Sequence, residues 1–134
     1  MRLWPLAILD QLPRQQLLGQ HRECCALRGK GWGRKHATVD YIFNHPYDFL
    51  WKYHLVVMQE MQRRGYKGNK LWLDYSWRGK QIGYDWSEFT KGTYQNVWKA
   101  YPEHNKKYIQ ECIENLARKG VVIDMGEVAS VTQS

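Results

Sequence analysis

The alternation of apolar and polar residues along the chain predicts three helices. Between about 13 and 28, apolar side chains recur at spacings of three, four and seven, which is the period of one helical face. The same period predicts a second helix from about 48 to 64 and a third from about 102 to 119. The pattern therefore predicts an all-α fold, a compact single domain of three main helices with long aromatic-rich connections.

Residues at the ends of these segments indicate where each helix starts and stops. Asp48 is suited to cap the second helix, just after Pro46. Basic residues followed by glycine close all three segments, at Gly29, Gly65 and Gly120. Cations complement the negative end of the helix dipole, and glycine supplies a left-handed cap. These arginines and lysines therefore have a structural explanation besides any role in binding.

The connection between the second and third helices, residues 66–101, is rich in aromatic side chains. A structureless loop of that length would be uncommon, so we predict short helices after Ser87 and over residues 93–98. The rings either complete a core that lacks aliphatic residues or stack on unstacked bases. The residues concerned are Tyr66, Trp72, Tyr75, Trp77, Tyr84, Trp86, Tyr94, Trp98 and Tyr101.

Chain length is consistent with one domain. A chain of 134 residues can bury roughly two-thirds of the surface that it exposes when unfolded. We assign residues 1–123 to the helical domain and residues 124–134 to a polar, disordered tail.

Positive charge is concentrated in the first part of the chain. Residues 1–80 hold 14 basic and 6 acidic side chains, whereas residues 81–134 hold 6 and 7, which accounts for the net charge of +7. A phosphate backbone is the commonest partner for such an excess, and an anionic membrane surface is a weaker alternative. We find no apolar run long enough to span a bilayer and no secretory signal, and we expect a cytoplasmic protein without membrane contact.

The three cysteines do not indicate a metal or redox site. Cys24 and Cys25 are adjacent and cannot readily bridge to each other, which leaves an odd number with Cys112. No CxxC or His-x3-His spacing suggests zinc. We interpret the cysteines as small core or interface residues, and we expect neither a metal nor a cofactor.

The first residue is a candidate nucleophile. Arg2 is too large for removal of the initiator methionine, so we expect Met1 to expose its α-amine. An α-amine has a pKa of about 8, far below that of lysine, and only its neutral form attacks carbon. Schiff-base chemistry needs such an amine and a carboxylate that moves protons, for which Glu23 is the candidate. The alternative is a frayed terminus and an ordinary surface acid.

A glycine-punctuated basic loop follows the first predicted helix. Residues 30–35 read Lys-Gly-Trp-Gly-Arg-Lys, and His36 comes next. Such a loop can lay its backbone and cations along phosphates. It can equally be a surface connection whose Trp32 covers the edge of the core, and the sequence leaves both interpretations open.

Four segments together resemble a known family. They are Met1-Arg2-Leu3-Trp4, Leu17-Leu18-Gly19-Gln20-His21-Arg22-Glu23, Gly33-Arg34-Lys35-His36 and Gln62-Arg63-Arg64-Gly65-Tyr66. In order and rough spacing they resemble the pyrimidine-dimer DNA glycosylases of the bacteriophage endonuclease V type. The resemblance covers residues 1 to about 67.

The resemblance implies a fold, an activity and a set of site residues. It implies an N-terminal segment packed between helices and a DNA repair glycosylase with abasic-site lyase activity on pyrimidine dimers or a related lesion. Catalysis would proceed through a Schiff base formed by the α-amine of Met1, supported by Glu23. Phosphates of double-stranded damaged DNA would be held by Arg2, Arg22, Arg28, Arg34, Lys35 and His36. We expect a cofactor-free, nucleoid-associated monomer.

A second interpretation belongs to another functional class. A basic helical module that kept this scaffold without its chemistry would bind DNA or RNA through phosphates and stacking alone. Charge cannot separate the two, since both need a cationic surface. The covalent step can, because a binding module forms no Schiff base.

Overall fold

The structure is a computed structural model that describes residues 2–35, 38–88 and 101–126. Within these residues the chain forms three α-helices, α1 (Arg14–Arg28), α2 (Tyr47–Arg63) and α3 (Lys106–Arg118). Short 3-10 helices span Leu6–Gln11, Asp40–Asn44 and Lys70–Leu73. The one pairing of extended backbone in the described residues is an isolated antiparallel bridge between Trp77 and Tyr84. The predicted all-α fold with three main helices is confirmed.

Two predicted helix starts differ from the structure. Asp48 lies inside the first turn of α2, after Pro46 at the N-cap, and no side chain caps that helix. The Asp48 carboxylate instead accepts a hydrogen bond from the Tyr75 hydroxyl at 2.9 Å. Helix α3 starts four residues later than predicted, because the side chain of Asn105 accepts a hydrogen bond from the Tyr108 backbone N–H.

The helix ends follow the prediction with one exception. Gly65 and Gly120 have φ angles of +81° and +83° after α2 and α3, which is the left-handed conformation that favours glycine. Gly29 caps α1 with φ −87° and ψ −121°, so the left-handed cap predicted there is wrong. Its N–H still bonds to the Cys25 carbonyl at 3.0 Å.

Helices α1 and α2 pack against each other and form the centre of the core. Leu17 of α1, Leu50 of α2 and Leu116 of α3 are all fully buried. The N-terminal segment enters the same cluster, since Leu3 has 0% of its surface exposed. The packing of this segment between helices, implied by the family resemblance, is therefore confirmed.

The aromatic connection is mostly core material where it is described. Trp72, Tyr75, Trp77 and Tyr101 are buried, as expected if aromatic rings replace missing aliphatic residues. Two other rings remain exposed, on Tyr84 and Trp86. Tyr94, Trp98 and the short helix predicted over residues 93–98 lie outside the described residues.

The end of the described chain is tied back to its beginning. Ile123 is buried, and the backbone of Asp124 exchanges two hydrogen bonds with the Gln11 side chain. Residues 127–134, most of the predicted disordered tail, lie outside the described residues, so that tail stays a prediction. No helix in the described ranges is long and apolar enough to cross a membrane.

Candidate functional site

Side chains from all three helices hold the backbone of the N-terminal segment. Tyr53 of α2 donates its hydroxyl hydrogen to the Trp4 carbonyl at 2.5 Å. Tyr108 of α3 donates to the Leu3 carbonyl at 2.7 Å. Because residues 2–4 form no regular secondary structure, these side chains satisfy peptide groups that would otherwise be buried without partners.

Gln20 of α1 holds the backbone of Arg2 and Trp4. Its Oε1 accepts a hydrogen bond from the Trp4 N–H at 2.5 Å, and its Nε2 donates to the Arg2 carbonyl at 3.4 Å. Glu23 follows Gln20 by three positions, which is about one helical turn and 4.5 Å along the axis. The backbone of Arg2 therefore lies along the helix that carries Glu23. Met1, the predicted nucleophile, lies outside the described residues.

Glu23 lines an open cavity with strongly cationic walls. The cavity has a volume of about 630 Å³ and lies between the second half of α1, the loop 30–35, Trp72 and the turn 78–82. Glu23 is the one carboxylate among the described residues that line it. Five lining residues are basic, namely Lys30, Arg34, Lys35, Arg78 and Lys80. Such a volume is within the range of small-molecule pockets, and the cations would favour an anionic ligand.

Trp32 anchors the basic loop to the core, as one of its two interpretations predicted. Trp32 packs edge-on against Phe43 and Tyr47, with ring centroids 5.1 and 4.9 Å apart, and so covers the core edge. This anchor leaves Arg34 and Lys35 exposed on the cavity side. The loop thus presents two cations from a fixed base.

Glycine is required at position 31 of the basic loop. The Gly31 N–H bonds to the Ala26 carbonyl at 2.9 Å. A β-carbon at this position would lie 2.8 Å from that same oxygen, closer than real contacts allow. The close approach folds the loop back against the end of α1.

Arg28 differs from its predicted role as a phosphate contact. Its side chain is fully buried, and four of its five N–H donors are already engaged. They bond to the Tyr47 hydroxyl, the His54 ring and the carbonyls of Trp72 and Asp74 at 2.7–2.9 Å. Arg28 therefore fastens α1 to α2 and to the segment 72–74, whose Trp72 lines the cavity.

The structure separates the other predicted phosphate contacts into groups. Arg34 and Lys35 share the cavity with Glu23, whereas Arg22 is exposed on α1 and does not line the cavity. The Arg2 guanidinium instead points to α3, where its Nη1 lies 3.8 Å from the Cys112 sulfur. His36 lies outside the described residues.

Arg78 is a site residue that sequence reasoning missed. It is 5% exposed, its Nη1 donates to the Arg28 carbonyl at 3.1 Å, and its guanidinium lies 3.8 Å from the centre of the Tyr47 ring. Its Nε and Nη2 are buried without a hydrogen-bond partner in the described residues. The signal available in the sequence was the short basic stretch Trp77-Arg78-Gly79-Lys80, but only tertiary contacts show that it forms a wall of this cavity.

One group of side chains in the described part of the chain is compact enough for a metal ion. The ligand atoms of His21, Cys25 and His54 lie within 4.8 Å of one another. However, Arg28 lies 2.8 Å from Nδ1 of His54, and a guanidinium can only donate. The His54 proton is therefore on Nε2, which donates to Nδ1 of His21 at 2.8 Å.

This donor set fits a hydrogen-bonded chain better than a metal site. A metal would have to displace the Nε2 proton of His54 while Arg28 occupies the other ring nitrogen. Burial, and then the neighbouring Arg28 charge, holds the pKa of His54 well below its usual value, so the ring stays neutral. The chain from Arg28 through His54 to His21 thus links the two helices beneath the cavity.

Cys25 should be chemically inert although it lines the cavity. Burial raises the pKa of its thiol to about 11, and only the thiolate is nucleophilic. We expect alkylation of Cys25 by iodoacetamide to be slow at neutral pH and to accelerate up to about pH 11. Peptide mapping of the alkylated protein measures this rate. Labelling of Cys25 at pH 7 as fast as a free cysteine would contradict the assignment.

One comparison with known proteins identifies a family. A family model described as pyrimidine dimer DNA glycosylase matches residues 1–74, more than half of the chain. No curated protein and no solved structure matches the chain. The matched region holds the N-terminal segment, α1 with Glu23 and the basic loop, whereas the turn 78–82 lies beyond it. The chain therefore belongs to the pyrimidine dimer DNA glycosylase family.

Proposed function

We propose that this protein is a DNA repair glycosylase with abasic-site lyase activity, acting on pyrimidine dimers or a related base lesion. The nucleophile is the α-amine of Met1, and Glu23 is the carboxylate that moves protons. The observation that carries the proposal is the fixed position of Arg2 and Trp4 against Gln20, about one turn of α1 before Glu23. Family membership supports the glycosylase class.

The proposed reaction needs an amine and a carboxylate but no cofactor. The neutral amine forms a bond to C1′ of the damaged nucleotide, and the bond between C1′ and the base breaks as the base leaves. The nitrogen then gives a proton to Glu23, which passes it to O4′ as the bond between C1′ and O4′ breaks. The sugar ring opens, nitrogen and C1′ form a protonated imine, and the C2′ hydrogen becomes acidic. Glu23 accepts that proton, and the bond from C3′ to its phosphate oxygen breaks, which nicks the strand.

The cationic cavity supports the binding side of the proposal. Arg34 and Lys35 hold phosphates near the lesion, and Arg22 extends this surface along α1. Their charge would offset the cost of taking a nucleotide out of the stack, which is a few kcal/mol and smaller for damaged pairs. His36 and Arg2 are two further proposed phosphate contacts. Arg28 acts from beneath as a positioning residue.

Borohydride trapping tests the covalent step directly. Incubating the protein with an abasic-site duplex and borohydride should give a stable protein–DNA species, because borohydride reduces the imine. Peptide mapping should place the crosslink on Met1. A protein extended by a tag ahead of Met1 should give none, since its α-amine is displaced from the site.

The controls distinguish catalysis from binding. The tagged protein should bind the same duplex as the untagged one, measured by fluorescence anisotropy at fixed salt. Full trapping by the tagged protein, or a crosslink on a lysine, would refute the α-amine as nucleophile. Tight binding by the untagged protein without any trapped species would instead indicate a non-catalytic binding module.

A further inference from the structure

The turn that forms the far wall of the cavity is a short, well-anchored hairpin. Its two ends are joined by hydrogen bonds from the Arg78 N–H to the Gly83 carbonyl and from the Asp85 N–H to the Ser76 carbonyl, at 2.9 and 2.8 Å. Gly79 and Gly83 have φ angles of +96° and +76°. Residues other than glycine rarely adopt this conformation, so the two glycines define where the tip, residues 80–82, begins and ends.

The base of this hairpin is tied to the core. Trp77 is 9% exposed and packs edge-on against Trp72, with ring centroids 6.4 Å apart. Arg78 is buried against Tyr47 and bonds to the carbonyl of Arg28. The tip therefore projects from a rigid support, which a side chain needs if it is to push against a ligand.

Ile82 is an exposed aliphatic residue at this tip. It is 44% exposed and lines the same cavity as Glu23. Lys80, two positions earlier, is exposed and lines the cavity too. A partner that pairs with the Lys80 charge and also buries Ile82 needs an anionic surface and an apolar interior. Duplex DNA has this character, with phosphates at its surface and stacked bases within.

We propose that Ile82 is a wedge that enters the base stack when the damaged nucleotide leaves it, while Lys80 contacts the backbone. The inference rests on the proposed function, because it takes the cavity beside Glu23 as the place of reaction. Aliphatic side chains inserted between base steps unstack them and kink the duplex. Filling the gap offsets part of the cost of extruding a nucleotide. The hairpin lies beyond the region matched to the family, residues 1–74.

Fluorescence of a base analogue tests the wedge without any chemistry. A duplex carries 2-aminopurine beside a tetrahydrofuran abasic-site analogue, and its fluorescence rises when stacking is lost. Saturating wild-type protein should raise the signal, and Ile82→Ala should reduce that rise at least about five-fold. Ile82→Leu should restore it, since leucine keeps the apolar bulk. Leu71→Ala is the matched control, because Leu71 is 41% exposed and lies outside the cavity lining.

A second substrate separates wedging from general damage. In a duplex whose abasic site lies in an unpaired bubble, the stack is already open, so borohydride trapping by Ile82→Ala should equal that by the wild type. A full fluorescence rise with Ile82→Ala, or equal loss of trapping on paired and bubble substrates, would overturn the wedge. Failure of the proposed function gives a different result, in which the wild type opens the stack but is never trapped.

Discussion

Replacing Glu23 with glutamine should lower strand cleavage at an abasic site by about 10²- to 10⁴-fold, the range that a positioned acid or base contributes. Glutamine has the same size but cannot accept the C2′ proton. Binding should be kept or become slightly tighter, because the cationic lining residues remain and the substitution removes only a negative charge that repels phosphates. Single-turnover cleavage and anisotropy titrations on the same duplex measure the two effects separately.

A matched acid on another helix controls for charge. Glu111 is exposed on α3 and does not line the cavity. Glu111→Gln should therefore cleave at the wild-type rate. If Glu23→Gln loses binding and cleavage in equal measure, or cleaves like the wild type, Glu23 is not the proton acceptor.

Replacing Arg28 with alanine should lower the free energy of unfolding by about 3–5 kcal/mol. The substitution removes the donor of the Tyr47 hydroxyl, the His54 ring and the Trp72 carbonyl, which are buried, and of the partly buried Asp74 carbonyl. Each unsatisfied buried group costs about 1–3 kcal/mol, less what relaxation recovers. Denaturant unfolding monitored by tryptophan fluorescence measures the loss.

Arg34 is the matched control for Arg28, and its substitution should have the opposite consequences. It is exposed and lines the cavity, so Arg34→Ala should change stability by less than about 0.5 kcal/mol. It should weaken DNA binding and reduce the slope of log affinity against log salt by about 1, as expected for one lost phosphate contact. If Arg28→Ala keeps the wild-type stability and reduces the slope of log affinity against log salt, Arg28 is a phosphate contact after all.

Much of the fold could be predicted because its signals are local. The boundaries of α1 and α2 follow from apolar periodicity and terminal glycines, and the structure moves them by one residue at most. The predicted start of α3 was four residues too early, because the helix begins where the Asn105 side chain accepts a hydrogen bond from the Tyr108 N–H. Helix propensity indicates that a helix exists, but the residue at which it starts depends on a specific capping hydrogen bond.

The candidate site shows the same division. Glu23 is a candidate from the chemistry of the amine and the family resemblance, and the basic loop is a candidate from its charge; the structure brings both to one cavity. Arg78, Lys80 and Ile82 could not be identified in this way, because they reach that cavity from about 50 residues further along the chain. Nothing in the local sequence of residues 78–82 distinguishes a cavity wall from an ordinary surface turn.

By itself the sequence determined the helical class, the placement of α1 and α2 and the concentration of cations in the first 80 residues. These depend on residue type and on neighbours a few positions away. The tertiary structure alone decided that Arg28 is buried while Arg34 is exposed, although both are arginines in the same basic region. It decided this because burial of a guanidinium requires acceptors, and those of Arg28 come from Tyr47, His54 and the backbone of residues 72–74.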